Sequence, residues 1–445
     1  MLLGATEDAV RSADPTVAQK QMDLLANAGF DSVRITQVWA PGEDRPTAGD
    51  LKILDNVFAA AKTDGINVLV SVMNFGSKTT PLTDGDQADF ASYAASLVTA
   101  VGVHYLIVGN EPNLNRYWLP QFGADGSDVA ASAYESLLAK TYDAVKAADP
   151  TTLVIGGALS PRGSDQPGTI RDTHSPTVFI QDMGAAYRAS GRALPIMDGL
   201  TQHPYEDNSS VAPVDGTHPS TTSISLADYP KLVSVLGQAF DGTAQPGSSL
   251  SIYFDEFGVE SQIPPAEQHL YTGSEVAVTQ PVDEATQAAY YRQAIQLAFC
   301  DPTVQGLFLF HAIDEKAMTG WQSGVYYADD TPKSSLAPVR LALQQARRGI
   351  LAQCPGLQLT PKPTVVQNGK VLTLTCNIDC SYVAQLYRGL GKLLVSKRGR
   401  AIGGRATPLP LRVPSPKAVY RLRLSAFAPV NPGPAALLRR ELKPG

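Results

Sequence analysis

Short apolar runs recur along the first 353 residues, and each is followed by a stretch in which apolar positions return every three or four. The runs are Leu2–Thr6, Ser32–Thr36, Asn67–Val72, Tyr105–Val108, Leu153–Gly156, Ile196–Leu200, Leu250–Phe254 and Gly306–Phe310. Helical periodicity fills the intervals at about 15–29, 50–64, 86–101, 128–148, 176–190, 226–240, 284–299 and 333–353. The first interval shows the local logic. Asp14-Pro15 offers an N-cap and a first-turn proline, Met22, Leu24 and Leu25 form an apolar stripe, and Gly29 closes it. Eight such units are the count of a (β/α)8 TIM barrel, an α/β fold. Near-continuous apolar strands suit a parallel sheet covered on both faces. A doubly wound sheet would carry a glycine-rich phosphate loop after its first strand, and Gly4-Ala5-Thr6-Glu7-Asp8 lacks that spacing.

After Cys354-Pro355-Gly356 the helical period gives way to short alternating runs, Val371–Thr375, Val383–Tyr387, Leu393–Val395 and Val419–Leu424, separated by Gly, Pro and Asn. That pattern predicts a small β-sandwich at 358–445, appended to a barrel at 1–353. The tail is strongly basic, with Asp379 and Glu441 its only acidic residues from position 361 onward. A solvated basic face on a packing module accounts for this, and contact with an acidic polymer is the alternative.

The whole chain of 445 residues has 36 Lys and Arg against 42 Asp and Glu, a net charge of −6, which argues against a duplex nucleic-acid binder. No apolar stretch is long enough to span a membrane. Residues 1–8 have neither a basic n-region nor a long apolar h-region, so they read as a first strand rather than a signal peptide. Cys376 and Cys380, four apart between strand-like flanks, suggest a small disulfide loop. Cys300 and Cys354 end neighbouring helices, and whether they bridge stays open. These cysteines favour a secreted or extracytoplasmic protein whose leader is absent from this sequence.

Barrels of this kind carry their chemistry where the strands end. Those ends hold Glu7-Asp8, Arg34 with Trp39 beyond, Asn74, Asn110-Glu111, His203-Pro204-Tyr205, Asp255-Glu256, and His311 with Asp314 beyond. Glu111 and Glu256 follow the fourth and seventh strands, which face each other across such a barrel. Two carboxyls flanking one bond are what glycoside hydrolysis requires. No Gly-x-Ser-x-Gly elbow is present, and the six histidines show no ligand spacing, so neither a serine hydrolase nor a metal or other cofactor is expected.

Asn110-Glu111-Pro112 after the fourth strand, with Glu256 after the seventh, resembles clan A of the retaining glycoside hydrolases, closest to the cellulase-like and xylosidase-like families 5 and 39. Arg34 and His203-Pro204-Tyr205 extend the resemblance, which covers the barrel and not the tail. It implies that Glu111 is the acid/base and Glu256 the nucleophile. It further implies that Arg34 orients Glu256, Asn110 donates to the substrate 2-hydroxyl, Tyr205 hydrogen-bonds the nucleophile and His203 lines the same wall. The chain departs from that pattern at the eighth strand, where His311 stands in place of an expected tryptophan, and at the third, where Asn74 replaces a histidine. Trp39, Trp118 and Trp321 fall after strands two, four and eight as candidate sugar platforms. Loops 206–225 and 257–283 are long. Together with Asn74, His203, His311 and Asp314 as candidate walls, they suggest a pocket and hence an exo-acting or diglycoside-releasing β-glycosidase. An endo-acting β-glycanase, a transglycosylase and an inactive glycan-binding barrel are the alternatives.

Overall fold

The computed structural model describes residues 1–351, 354, 358–389, 391–414 and 419–442. The chain divides into two compact units, Met1–Arg340 and Leu341–Gly445.

In the first unit strands and helices alternate: β1 (Leu2–Thr6), α1 (Pro15–Ala28), β2 (Ser32–Trp39), α2 (Ala48–Asp64), β3 (Asn67–Asn74), α3 (Asp84–Val101), β4 (Tyr105–Val108) and α4 (Ala130–Ala148). The order continues with β5 (Leu153–Leu159), α5 (Pro176–Ser190), β6 (Gly199–Gln202), α6 (Tyr229–Phe240), β7 (Ser251–Phe257), α7 (Glu284–Cys300) and β8 (Val304–Phe310), and α8 (Leu336–Arg347) follows in sequence. The eight strands pair in parallel in chain order and close between β1 and β8, so the unit is a TIM barrel.

The local signals act as their chemistry requires. Asp14 accepts from the Thr16 amide to cap α1, and Gly29 ends it at φ 93°. Leu69, Ile107, Ile155, Ala158, Tyr253 and Phe308 fill the barrel interior. Gly4 is needed in β1 because a Cβ there would stand 2.4 Å from the Phe308 ring. The sixth strand starts at Gly199, three residues beyond the apolar run at Ile196 that predicts it. The earlier residues are spent elsewhere: Ile196 and Met197 are anchored by the Gln245 side chain, and Asp198 caps the Val154 amide.

The second unit contains a three-stranded sheet, ordered β13 (Thr407–Arg412), β10 (Val371–Cys376), β9 (Pro363–Asn368), and a four-stranded sheet, ordered β12 (Lys392–Ala401), β11 (Cys380–Arg388), β14 (Tyr420–Phe427), β15 (Ala436–Leu442). All pairings are antiparallel, and Leu372, Leu374, Tyr382, Leu386, Leu422 and Leu424 belong to one core, as in a β-sandwich. Three strands escape the apolar pattern: β9 and β13 carry prolines, β15 carries arginines, and each is an edge strand. Cys376 and Cys380 are bonded to each other, and no free cysteine is found among the described residues.

Candidate functional site

Strand β4 stops where Gly109 turns to φ 84°, and two residues later Glu111 takes φ 42°. A left-handed glutamate costs about 1–3 kcal/mol and persists only where its surroundings hold it. The Glu111 amide donates to the Ala158 carbonyl at 2.8 Å, and its own carbonyl accepts from Leu114 at 2.9 Å. Behind it, buried Tyr134 bridges β4 and β5 by donating to the Val108 carbonyl and accepting from the Gly157 amide. The turn thus delivers the Glu111 carboxylate to the mouth of the barrel.

Opposite, β7 contains an irregularity. Phe254 pairs with Leu307 and Phe257 with Leu309, so three steps of β7 match two of β8. The extra residue breaks the strict alternation that would send Asp255 and Glu256 to opposite faces. Both side chains reach the same two cations. Arg34 Nη1 lies 3.1 Å from Glu256 Oε1 and its Nε 3.7 Å from Asp255. His203 Nε2 lies 3.4 Å from Asp255, while its Nδ1 is 3.1 Å from Glu111 Oε1 and 3.4 Å from Glu256 Oε2.

The remaining contacts give the two glutamates different settings. Arg34 Nη2 donates to Asn110 Oδ1 at 3.1 Å and to Ser71 Oγ at 3.2 Å. The Tyr205 hydroxyl donates to Glu256 Oε2 at 3.0 Å. Glu256 is therefore gripped by Arg34, Tyr205 and His203, and Glu111 by His203. Burial raises the Glu256 pKa above the ordinary carboxyl value, and His203 and Arg34 pull against that rise. Burial alone would lower His203, but the Glu256 and Asp255 carboxylates outweigh it and hold the imidazole well above its usual value. Tyr205 is pushed up by burial and then by Glu256, so it stays a donor.

Around this network Trp321 lies 4.9 Å from the Tyr205 ring and 5.3 Å from Phe310, half-buried. His311, also half-buried, has Nδ1 2.9 Å from the Thr6 carbonyl. A carbonyl only accepts, so Nδ1 carries a proton, and in the neutral ring Nε2 is the acceptor.

Four residues expected at the mouth are committed elsewhere. Trp39 is the last residue of β2, wholly buried against Phe90, with its indole N–H on the Glu43 carbonyl, and it offers no face to a ligand. Trp118 is likewise buried, edge-on to Tyr134. Asn74 spends its amide on the Gly76 and Tyr117 carbonyls and so fastens the loop beyond β4 to β3. Asp314 is buried in a loop junction, accepting from Tyr271, Gly324 and Lys333. Conversely, Asp255, named at the strand end but given no role, and Ser71, not singled out, both take part. Nothing in an apolar strand foretells a bulge, and a serine inside one reads as a core filler.

The loops beyond β6, β7 and β8 are laced together. The Ser209 amide donates to the Thr279 carbonyl, Glu260 to Ser209 Oγ, Thr272 to the Lys316 carbonyl, and Tyr271 to Asp314. Among the described residues no cluster of His, Cys, Asp and Glu has the geometry of a metal site, and no helix is long and apolar enough to cross a membrane.

No protein-family profile and no curated protein matches the sequence. Solved structures do match. A family 39 glycoside hydrolase from Bacteroides cellulosilyticus WH2 aligns with 90% of this chain and 80% of its own, at 16% identity and a TM-score of 0.55. A family 5, subfamily 18 enzyme from Streptomyces cattleya, solved with Manβ1-4GlcNAc, aligns over 81% and 83% at 15% identity and a TM-score of 0.53. A glucosidase from Croceicoccus marinus aligns over 87% and 88% at 11% identity and a TM-score of 0.51. The fold is clan A glycoside hydrolase-like.

Proposed function

We propose that the barrel is a retaining β-glycoside hydrolase in which Glu256 is the nucleophile and Glu111 the acid/base. The observation that carries this reading is the shared contact of both carboxylates with His203 Nδ1, combined with their unequal partners. A nucleophile must be ionised, and Glu256 is the one held by a permanent cation and a phenol. An acid/base must change protonation during the cycle, and Glu111 is the freer of the two.

In the first step Glu256 attacks the anomeric carbon while Glu111 gives its proton to the departing glycosidic oxygen. In the second, Glu111 takes a proton from water, and that water displaces Glu256 from the sugar. Arg34, by occupying Asn110 Oδ1, turns the Asn110 amide so that Nδ2 is the end left for a sugar hydroxyl. The Trp321 and Tyr205 rings form an aromatic wall beside Glu256, and His311 Nε2 supplies an acceptor on the β8 side. No cofactor is required.

The laced loops beyond β6, β7 and β8 favour a walled pocket over an open groove, and so an exo-acting or diglycoside-releasing enzyme. The disulfide-bonded cysteines suit an oxidising, extracytoplasmic setting. A panel of aryl mono- and diglycosides beside β-glucan, xylan and mannan tests the reading. Release from the small glycosides is expected. Rapid viscosity loss on a polymer with no release from small glycosides would show the cleft to be open, and silence on every substrate would show the barrel to be inactive.

A further inference from the structure

The four-stranded sheet of the second unit turns one face inward. Tyr382, Ala384 and Leu386 of β11 and Leu422, Leu424 and Ala426 of β14 are buried in the sandwich core. Strand alternation therefore sends the residues between them outward. That outer face carries Arg398 and Arg400 on β12, Arg421 and Arg423 on β14, and Arg439 on β15, all exposed.

The pairing makes the arrangement costly. Arg423 stands directly opposite Arg439 in the antiparallel register, and like charges so placed destabilise a sheet. Arg421 finds a carboxylate, Glu441 at 2.7 Å. Among the described residues, Arg398, Arg400, Arg423 and Arg439 form no ion pair. Between the arginines lie Ser381, Val383 and Gln385 on β11 and Ser425 on β14, polar apart from the one valine. Neighbouring strands are about 4.8 Å apart, and Arg398 and Arg423 flank β11 two residues out of step, opposite Val383 and Gln385, so they stand about 12 Å apart across the sheet. Repulsion that folding does not relieve can be relieved by a polyanion laid along that face.

We propose that this face binds an anionic polysaccharide, a sugar chain bearing repeated carboxylate or sulfate groups. Guanidinium forks match such groups in pairs, and serine and glutamine side chains suit the hydroxyls between them. A disulfide in the same unit suits an oxidising setting, which fits an extracellular sugar polymer as the occupant. The face also has few of the aromatic platforms on which single-stranded bases stack, Tyr387 and Phe427 being the two present.

The barrel unit supplies an observation of the same sign. A groove beside the Glu111 turn is lined by Arg116, Arg162 and Arg171 together with Asn115, Ser160 and Thr173. Arg162 is paired with Asp207, Arg116 lies over the Tyr117 ring, and Arg171 forms no ion pair among the described residues. Taking the barrel as a glycosidase, this groove would favour anionic sugars on the leaving-group side.

The test uses the full chain carrying Glu111→Gln, so that binding is read without hydrolysis. Its mobility is measured in native gels containing polygalacturonate, dextran sulfate or neutral xylan. Retardation by one or both acidic polymers and not by xylan is expected, weakening as salt is raised. Replacing Arg398, Arg400, Arg423 and Arg439 together by Gln should weaken binding at least tenfold. Replacing the same four by Lys, which preserves charge, should retain most of it. Equal retardation of the Gln variant, or equal loss in a folded Lys variant, would overturn the proposal. Binding to single-stranded DNA as tight as to either polysaccharide would also overturn it, in favour of a nucleic-acid surface. Hydrolysis of small aryl glycosides by the chain with Glu111 intact and the four arginines replaced is read separately. Failure of the glycosidase reading is thereby distinguished from failure of the binding face.

Discussion

His203 Nδ1 lies 3.1 Å from Glu111 Oε1, and this contact ties the end of β6 to the turn beyond β4. The same nitrogen is 3.4 Å from Glu256 Oε2. A buried imidazole held above its ordinary pKa thus stands between two carboxylates and contacts both. The proposed roles rest on what else each carboxylate meets, Arg34 and Tyr205 on Glu256 and neither on Glu111.

That division can be separated by rescue chemistry. Glu111→Gln and Glu256→Gln should each lower kcat by several orders of magnitude, since general acid catalysis alone contributes about 10²–10⁴-fold. With an activated aryl glycoside and azide, a Glu111→Ala variant should form the β-glycosyl azide, and a Glu256→Ala variant the α-anomer. Loss of less than tenfold at either position would remove that residue from the chemistry, and exchanged azide products would exchange their roles.

The proposed double displacement has a stereochemical test, and the spacing is compatible with it. Two oxygens that touch one nitrogen cannot be farther apart than the sum of their two distances to it, 3.1 and 3.4 Å. Inverting pairs leave room for a water, with carboxyls about 6.5–9.5 Å apart, and retaining pairs stand at about 5–5.5 Å. Proton NMR of the first-formed sugar should therefore show a retained β-anomer, and an inverted product would refute the double displacement.

The pH profile carries the electrostatics. Because burial raises Glu256, the ionised nucleophile is lost at a higher pH than an ordinary glutamate would be. The acid limb of kcat/KM should accordingly lie above the model-peptide value of about 4.3. Removing the Tyr205 hydroxyl takes away a donor that favours the charged form, so Tyr205→Phe should move that limb upward as well as lower kcat. A limb at or below pH 4, or one unmoved by Tyr205→Phe, would show that another group controls the acid side.

The barrel was legible because its information is periodic. Eight apolar runs separated by helical spacing leave little choice of topology, and the strand ends then point to Glu111, Arg34, His203, Tyr205 and Glu256 by position alone. What escaped the pattern depends on departures from periodicity or on long-range partners. Asp255 joins the network through a strand bulge that no composition marks. Trp39 looks like a loop aromatic until β2 is seen to run to it and Phe90 to cover it. Asp314 looks like a wall of the site until Lys333, nineteen residues later, is found beside it in the same buried junction. Three of the edge strands of the sandwich, β9, β13 and β15, were hidden because prolines and arginines are acceptable where only one side must pair.

Glu206, next to Tyr205 in the chain, provides a stability test independent of turnover. It is buried, and burial pushes its pKa to about 9 with Ser225 pulling against that rise. The folded protein therefore keeps a proton that the unfolded chain releases near pH 4.3. Between those values folding takes up a proton at this site. Each pH unit then removes up to about 1.4 kcal/mol of stability, and the loss levels off above the folded pKa. A Glu206→Gln variant cannot release a proton and escapes this slope. Its melting temperature relative to the parent should rise steadily from pH 5 to pH 8, whatever constant offset the buried amide introduces. Parallel curves for the two proteins over that range would mean that Glu206 is solvated and ionised in the folded state, and that the wall behind Tyr205 is more open to water than its burial implies.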